Sequence, residues 1–205
     1  MSNEAENSRL NPDERREQIL SVAAGHFARD DGKPVSVSAI ARDAGVTRAL
    51  VYHYFPGRDS LLDAVLQRET DAVLVSTMPD PARSVRVNLE HALNAYLDHF
   101  AASGGALRDL FMRQPGAPSI VNELAAGSHV VHADRIIALA GLEDTALMRF
   151  AVMAWLGLVT EGARAATNMP DISRQDTIRL SLRTFEAATG RSIDDLKTQP
   201  DQGKE

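Results

Sequence analysis

The chain has 205 residues and a mass of 22.2 kDa, which is enough for a hydrophobic core without disulfides. Its net charge of −6 excludes a uniformly basic surface, so any site for nucleic acid must be local. The lack of cysteine excludes disulfides, thiolate metal sites and a cysteine nucleophile, and it suits the reducing cytoplasm.

The N-terminal part of the chain predicts three helices. Each is preceded by a side chain that can cap a helix, namely Asn11, Ser36 and Thr47. Gly45 separates the second helix from the third and can take the left-handed conformation that a tight turn requires. The third helix ends before Pro56. We therefore expect two short helices around a glycine turn, in one unit with the longer first helix.

Six further helices are predicted from the helical spacing of apolar residues and from proline and glycine at the helix ends. The pattern contains no convincing strand, so the predicted fold is all-α with about nine helices. The six helices are expected to begin at Arg58, at Pro81 after an Asp80 cap, and then at Leu107, Pro118, Glu143 and Ser173.

A break near residue 57 indicates two domains without a flexible linker between them. We expect a helix-turn-helix domain over residues 11–57 and a helical domain for ligand binding and dimerisation over residues 58–190. The polar segments 1–10 and 191–205 are predicted to be a disordered tail and a flexible tail. No membrane span or signal peptide is expected, because the chain starts with polar residues and has no sufficiently long apolar run.

The segment around Gly45 has the physical features of a helix-turn-helix, because a short supporting helix precedes a helix whose outer face can enter a major groove. Turn geometry by itself also fits other small helical domains. The local charge favours DNA, since this segment carries +3 and the rest of the chain −9. The charges that make up this sum are those of Lys33, Arg42, Arg48 and Arg58 against Asp43.

The stretch from Ala39 to Leu62, AIARDAGVTRALVYHYFPGRDSLL, closely resembles the DNA-binding domain of the tetracycline-repressor (TetR) family. The family pattern combines an Ile-Ala helix, a Gly-Val turn, a recognition helix with Leu-Tyr-x-(His/Tyr)-Phe, and a later Leu-Leu pair. The resemblance covers about residues 12–66. It implies a bacterial, cytoplasmic, DNA-binding transcription regulator that needs no cofactor.

The resemblance also implies which side chains contact DNA. Base contacts are expected at the start of the recognition helix, and contacts to phosphate or groove further along it. Several of these residues have a purely structural alternative: Thr47 as a helix cap, Tyr54 as packing, and Arg48 as a solvated charge. The implied residues are Ser36, Ser38, Thr47, Arg48, Ala49, Tyr52, His53, Tyr54 and Arg58.

The helix predicted from Glu143 is apolar on nearly all sides, so one side is expected to pack on its own core and the other on a partner subunit. A homodimer would also allow two short helices to read a palindrome. The family resemblance implies the same arrangement, with the last two helices of each chain in a four-helix bundle. The predicted interface residues are Phe150, Ala154, Leu158, Leu180 and Ala187.

A cavity for a mainly hydrophobic small molecule is predicted in the C-terminal domain. Glu161 is a candidate polar anchor there and Trp155 a candidate wall, although an ion pair between Glu161 and Arg164 is the favoured alternative. Most of the candidates also fit a packed core. The candidate ligand contacts are Tyr96, His99, Phe111, Met112, His129, Met148, Trp155 and Glu161.

A metal site is not expected. His129 and His132 are three residues apart, with Glu123 further back, but a third ligand is not clearly placed. Catalytic signatures such as a phosphate-binding glycine loop or a nucleophile elbow do not occur in the sequence.

We therefore expect a dimeric, ligand-responsive transcription factor and not an enzyme. The expected action is that of a repressor released from a palindromic DNA operator by a small-molecule effector. A small helical enzyme and a non-DNA interaction module on the same fold remain as alternatives.

Overall fold

A computed structural model describes residues 10–29, 35–102, 119–169 and 171–197, and this part of the chain is helical with no strand. The prediction of an all-α fold is confirmed. The predicted short helix from Leu107 lies outside the described residues. The α-helices are α1 (Pro12–Phe27), α2 (Val37–Asp43), α3 (Arg48–Tyr54), α4 (Arg58–Ser76), α5 (Val85–Ala102), α6 (Ser119–Leu139), α7 (Ala146–Asn168) and α8 (Arg174–Thr189), and a 3₁₀ turn follows at Ile193–Asp195.

The chain divides into two compact units, and the division falls inside α4. The first unit contains α1, α2, α3 and α4 as far as Glu69, and the second contains α4 from Thr70 together with α5, α7, α8 and α6 from Asn122. The division therefore lies later than the predicted boundary at residue 57. The first half of α4 belongs to the N-terminal unit and buries Leu61, Val65 and Leu66.

The helix starts of the first unit follow from side-chain caps. The Asn11 side chain accepts from the Glu14 amide, and the Glu14 carboxylate accepts from the Asn11 amide, so α1 begins with a complete capping box. Ser36 and Thr47 accept from amides in the first turns of α2 and α3. The three caps predicted from the sequence are confirmed.

The second unit has one hydrophobic core to which α5, α6, α7 and α8 contribute. Val152 on α7 and Phe185 on α8 have no exposed surface. The predicted ends of α6 and α8 are confirmed at Gly141 and Gly190, which take the left-handed φ values of 57° and 66°. Helix α8 thus begins with a capping box at Ser173 and ends at Gly190.

The predicted start of the fifth helix at Pro81 is wrong. Helix α5 begins at Val85, because the Asp80 side chain accepts from the Ala82 amide and closes a turn instead of capping a helix. Asn88, which is buried, binds this turn: its Oδ1 accepts from the Asp80 amide at 2.7 Å, and its Nδ2 donates to the Asp80 carbonyl at 2.9 Å. The polar side chain of Asn88 therefore holds the connection between α4 and α5.

The predicted start of the seventh described helix at Glu143 is also wrong. Helix α7 begins at Ala146, because the Thr145 hydroxyl accepts from the Met148 amide at 3.1 Å and caps the helix there. The residues between Gly141 and Thr145 form a short connection in which Leu142 is buried.

The flexible tail predicted from residue 191 is corrected as far as Lys197. Ile193 and Leu196 are buried in the core of the second unit. The Ile193 amide donates to Glu186, and Arg86 makes a bidentate ion pair with Asp194 at 2.6 and 2.9 Å. The segment after α8 is therefore part of the packed second unit.

Candidate functional site

The turn between α2 and α3 follows from the backbone of Gly45. Its φ is 64°, its amide donates to the Arg42 carbonyl, and the next amide, that of Val46, donates to the Ala41 carbonyl at 2.9 Å. This is the Schellman arrangement, which a glycine in left-handed conformation allows without strain. Ile40 and Val51, one on each helix, are at most 1% exposed. The two helices are therefore held by a sharp turn, and each buries an apolar side chain.

The opposite face of α3 is exposed to solvent. It carries Arg48, Ala49, Tyr52 and His53, which the sequence analysis places among the DNA contacts. The Arg48 Nη2 donates to the Tyr52 hydroxyl at 3.1 Å, and the Arg48 Cζ lies 5.2 Å from the centre of the Tyr52 ring. We define these four residues as the α3 outer face. It offers a cation, a phenol and an imidazole, all of which can bind phosphate or base edges.

The hydroxyl candidates next to this face also have structural roles. Thr47 Oγ1 accepts from the Leu50 amide at 3.2 Å, and Ser36 Oγ lies 3.4 Å from the Ala39 amide, so both cap helices. Both are exposed, as is Ser38. A capping hydroxyl retains its proton for donation, so capping by Thr47 is compatible with a phosphate contact.

Tyr54 and Arg58 lie at the end of the helix-turn-helix and differ from each other in exposure. Tyr54 is half-buried, with its ring 5.4 Å from the ring of His53 in an edge-to-face arrangement. Arg58 is exposed, its Cζ is 5.7 Å from the centre of the Phe27 ring, and its Nη1 donates to Asp59. The partial burial of Tyr54 is compatible with its packing alternative, and its contact with DNA stays a prediction.

An ion-pair cluster between α1 and α2 was not foreseen from the sequence. His26 Nε2 lies 2.9 Å from Asp43 Oδ2, and Arg42 Nε donates to Asp43 Oδ1 at 3.0 Å. The hydrogen bond from Arg42, together with that from His26, holds the pKa of the Asp43 carboxyl below its usual value. The cluster was missed because its partners His26 and Asp43 are 17 positions apart and no local motif connects them.

The predicted interface residues lie on exposed faces of α7 and α8 in the second unit. Leu147 on α7 is 76% exposed as well. We define these exposed residues together as the α7–α8 face. Its predicted members are exposed without exception: Phe150 (70%), Leu158 (39%) and Leu180 (57%), together with Ala154 and Ala187.

Three of the half-buried polar side chains in the second unit are joined by hydrogen bonds. The Tyr96 hydroxyl on α5 bonds to Thr160 on α7, and burial raises the pKa of Tyr96 despite this bond. Thr160 Oγ1 lies 3.3 Å from His129 Nε2 on α6 and donates to the Leu156 carbonyl. We define Tyr96, Thr160 and His129 as the polar trio. Thr160 was missed from the sequence, because a threonine in an apolar helix gives no distinctive signal.

The other ligand candidates are placed differently. Trp155 is 4% exposed, donates from Nε1 to the Ser181 carbonyl and packs edge-to-face on Phe185, so it belongs to the core. Glu161 is exposed and makes an ion pair with Arg164. The favoured alternative for Glu161 is confirmed. His99 and Met148 are half-buried, and Met148 packs on the core, whereas Phe111 and Met112 lie outside the described residues.

His132 on α6 is a half-buried histidine of the second unit. Its burial, with further contributions from Arg135 and His129, lowers its pKa to about 4, so it is neutral at physiological pH. Within the described ranges, the structure holds no group of three residues suited to a metal ion.

The segment that contains the helix-turn-helix is similar to known proteins. Residues 19–65 match the family model of bacterial regulatory proteins of the tetR family. The HTH-type transcriptional regulator EthR of Mycolicibacterium smegmatis is 30% identical over 103 residues, which is 47% of this chain and 48% of that protein. This chain therefore spans about half the length of that relative.

Two further comparisons extend into the second unit. The HTH-type transcriptional repressor SCO4008 of Streptomyces coelicolor is 24% identical over 167 residues, covering 80% of this chain and 83% of the relative. A crystal structure of a tetR-family transcriptional regulator from Streptomyces coelicolor has 25% sequence identity and a TM-score of 0.76, and the match covers 95% of this chain and 93% of that one. All three are named as regulators of transcription, and none as an enzyme.

Proposed function

We propose that the chain, whose residues 19–65 match the family model of tetR-family bacterial regulatory proteins, is a cytoplasmic, ligand-responsive repressor. As a homodimer it binds a palindromic DNA operator through its first unit, and it releases the operator when a small molecule binds to its second unit. The α3 outer face is the observation that carries the proposal. The guanidinium, phenol and imidazole groups on this face are exposed and are of the kinds that can bind DNA. They lie next to the Gly45 turn, whose geometry suits a helix-turn-helix.

Charge supports DNA binding at this end of the molecule. The segment from Lys33 to Arg58 carries +3, whereas the rest of the chain carries −9. DNA phosphates are attracted to the first and repelled by the second, so contact is restricted to the helix-turn-helix. One α3 helix covers only a few base pairs, and specific binding therefore requires two copies.

The α7–α8 face supports dimerisation. Large apolar side chains are rarely left exposed together on a monomer, and such patches mark interaction sites. Helix α7 is also long and apolar enough to cross a membrane over Ala146–Ala166, with 28% of that window buried. We favour a second copy as the partner, because the other side of α7 carries buried core residues such as Val152 and the exposed side ends in the ion pair of Glu161 and Arg164.

The polar trio supports a ligand site in the second unit. Its groups come from three helices, and the ring of Tyr96 lies 6.2 Å from the ring of buried Phe100. A ligand there would be mainly hydrophobic and would form a few hydrogen bonds. The repressor SCO4008 is similar over most of this chain, which supports repression as the sign of regulation.

A selection from random double-stranded DNA tests the proposal. The purified full chain should enrich a palindrome whose half-sites are about 34 Å apart or a multiple of this, with affinity that falls as salt rises. The Tyr52→Ala variant should bind the enriched site more weakly, and His91→Ala, an exposed change on α5, should not. Failure to enrich any sequence would overturn the proposal.

The effector is sought by thermal shift on the purified chain. A compound at 100 times its dissociation constant should add about 2.7 kcal/mol of stability. Because ligand and operator favour different conformations, the compound should weaken operator binding by about 5- to 150-fold, and the operator should weaken compound binding by the same factor. A compound that stabilises the chain without changing operator affinity would contradict the release mechanism.

A further inference from the structure

Arg48 differs from the other two described basic residues of the helix-turn-helix segment in the partner it contacts. Arg42 is bound to Asp43, and Arg58 is bound to Asp59. The guanidinium of Arg48 instead contacts Tyr52, through the hydrogen bond at 3.1 Å and the ring contact at 5.2 Å. Its positive charge is therefore not neutralised by a carboxylate in these contacts, and it remains available to a ligand.

The contact with Tyr52 also restricts the Arg48 side chain. A free arginine side chain has rotamer entropy that it loses when it binds. Tyr52 lies one helical turn from Arg48 on the same exposed face, and the hydroxyl and the ring hold the guanidinium from two directions. Part of the ordering required for recognition is therefore present before DNA arrives.

The contact leaves most of the guanidinium donors available. Arginine has five N–H groups in a planar fork, and the bond to Tyr52 occupies one of them on Nη2. Two parallel N–H groups match the O6 and N7 acceptors of guanine in the major groove, whereas adenine offers a donor in place of O6. Ala49, next along the outer face, has a side chain too small to compete for this space.

We propose that Arg48 reads a guanine in each operator half-site and that Tyr52 is the positioning residue that holds its guanidinium. The proposal rests on the proposed function, since it requires an operator. It assigns base specificity to Arg48 and makes the role of the Tyr52 hydroxyl dependent on Arg48. A contact from Arg48 to phosphate would instead contribute equally to every sequence.

The first experiment measures base specificity. Starting from the palindrome enriched by the full wild-type chain, each base pair of a half-site is substituted symmetrically, and dissociation constants are measured by fluorescence anisotropy at constant salt. The wild type should lose about 5- to 150-fold in affinity when one particular G·C pair is replaced, and Arg48→Ala should no longer discriminate at that pair. Arg48→Lys should keep the charge and recover little of the discrimination, because lysine lacks the planar fork. Arg191→Ala, the removal of an exposed charge after α8, serves as the matched control and should retain it.

The second experiment tests positioning by a double-mutant cycle. Tyr52→Phe retains the ring and removes the hydroxyl, so it should reduce discrimination at the same G·C pair severalfold when Arg48 is present. In the Arg48→Ala background the same change should have no effect on that discrimination. Because both side chains are exposed, melting temperatures should match that of the wild type.

Three outcomes would overturn the inference. Uniform weakening of all sequences by Arg48→Ala, with a smaller salt slope, would assign Arg48 to phosphate. An equal effect of Tyr52→Phe in both backgrounds would show that the hydroxyl contacts DNA independently of Arg48. Discrimination at an A·T pair instead of a G·C pair would refute guanine as the partner. If no palindrome is enriched at the start, the proposed function fails and the result is recognised as such before any variant is made.

Discussion

Replacing Phe150 by Glu should separate the proposed homodimer into monomers. Phe150 is 70% exposed on the α7–α8 face, to which Leu147 and Leu158 on α7 also belong. A fully buried phenylalanine contributes about 1.5–3 kcal/mol, so covering the exposed part contributes about 1–2 kcal/mol per copy. A two-fold interface contains the residue twice, which gives about 2–4 kcal/mol. The dimer dissociation constant should therefore rise by at least about 30- to 900-fold.

The assay is sedimentation velocity over a range of protein concentrations, with circular dichroism to confirm that the helices are retained. Val87→Glu is the matched control, because Val87 is a 44% exposed apolar residue on α5 and receives the same charge. The control should remain dimeric. A wild type that stays monomeric at all concentrations, or a Phe150→Glu variant that dimerises as tightly as the control, would refute the reasoning. Operator affinity should fall together with dimerisation, since under the proposed function one α3 helix would contact only half of a palindromic operator.

Three further variants test two turns and one ion pair of the fold. Asn88→Ala should lower the free energy of unfolding by about 2–4 kcal/mol in urea titrations, because the Asp80 amide and carbonyl lose their buried partners; a loss below about 0.5 kcal/mol would contradict this role. Gly45→Ala should cost about 1–2 kcal/mol of unfolding free energy from its positive φ of 64°, and a variant as stable as the wild type would show that the turn has relaxed. Asp43→Asn should melt at a lower temperature than the wild type at neutral pH. Because the pKa of Asp43 is lowered in the folded protein, the stabilisation by its ion pair is present above the usual carboxyl pKa and is lost as the pH falls through the folded pKa. The melting temperatures of the variant and the wild type should therefore converge in acid. A difference in melting temperature that stays constant with pH would exclude the ion pair as its cause.

The sequence predicted those helix boundaries that depend on neighbouring residues. The caps at Asn11, Ser36 and Thr47 are local, since each hydroxyl or amide reaches an amide three residues later. The glycine turn at Gly45 is local for the same reason. Such signals can be read from a single sequence because the capping side chain and the amide that it binds are close along the chain.

Boundaries that depend on distant contacts were not predictable. The connection before α5 depends on Asn88, which binds Asp80 eight positions earlier. The segment after α8 is held by Arg86, which is 108 positions from its partner Asp194. A polar, short C-terminal stretch is typical of a tail, and only the tertiary structure supplies the buried surroundings of Ile193 and Leu196.

The candidate site divides in the same way. The motif correctly indicated an exposed outer face on α3, since the alternation of buried Val51 and exposed Tyr52 follows from helical spacing. In the second unit, apolar and polar residues on α7 do not reveal which side faces the core. Trp155 is therefore a core residue although it resembles a pocket wall, and Thr160 joins the polar trio without a sequence signal.

The small size of α3 explains why its outer face depends on residues that lie outside that face. A helix of seven residues is too short to be stable by itself in water. Its position must therefore come from the Thr47 cap and from the burial of Val51 and Phe55, whose ring lies 5.2 Å from the Arg16 guanidinium. A core change such as Val51→Ala should then weaken DNA binding through loss of stability, whereas a change on the outer face should weaken it without such loss. This difference separates residues that support the α3 outer face from residues that form it.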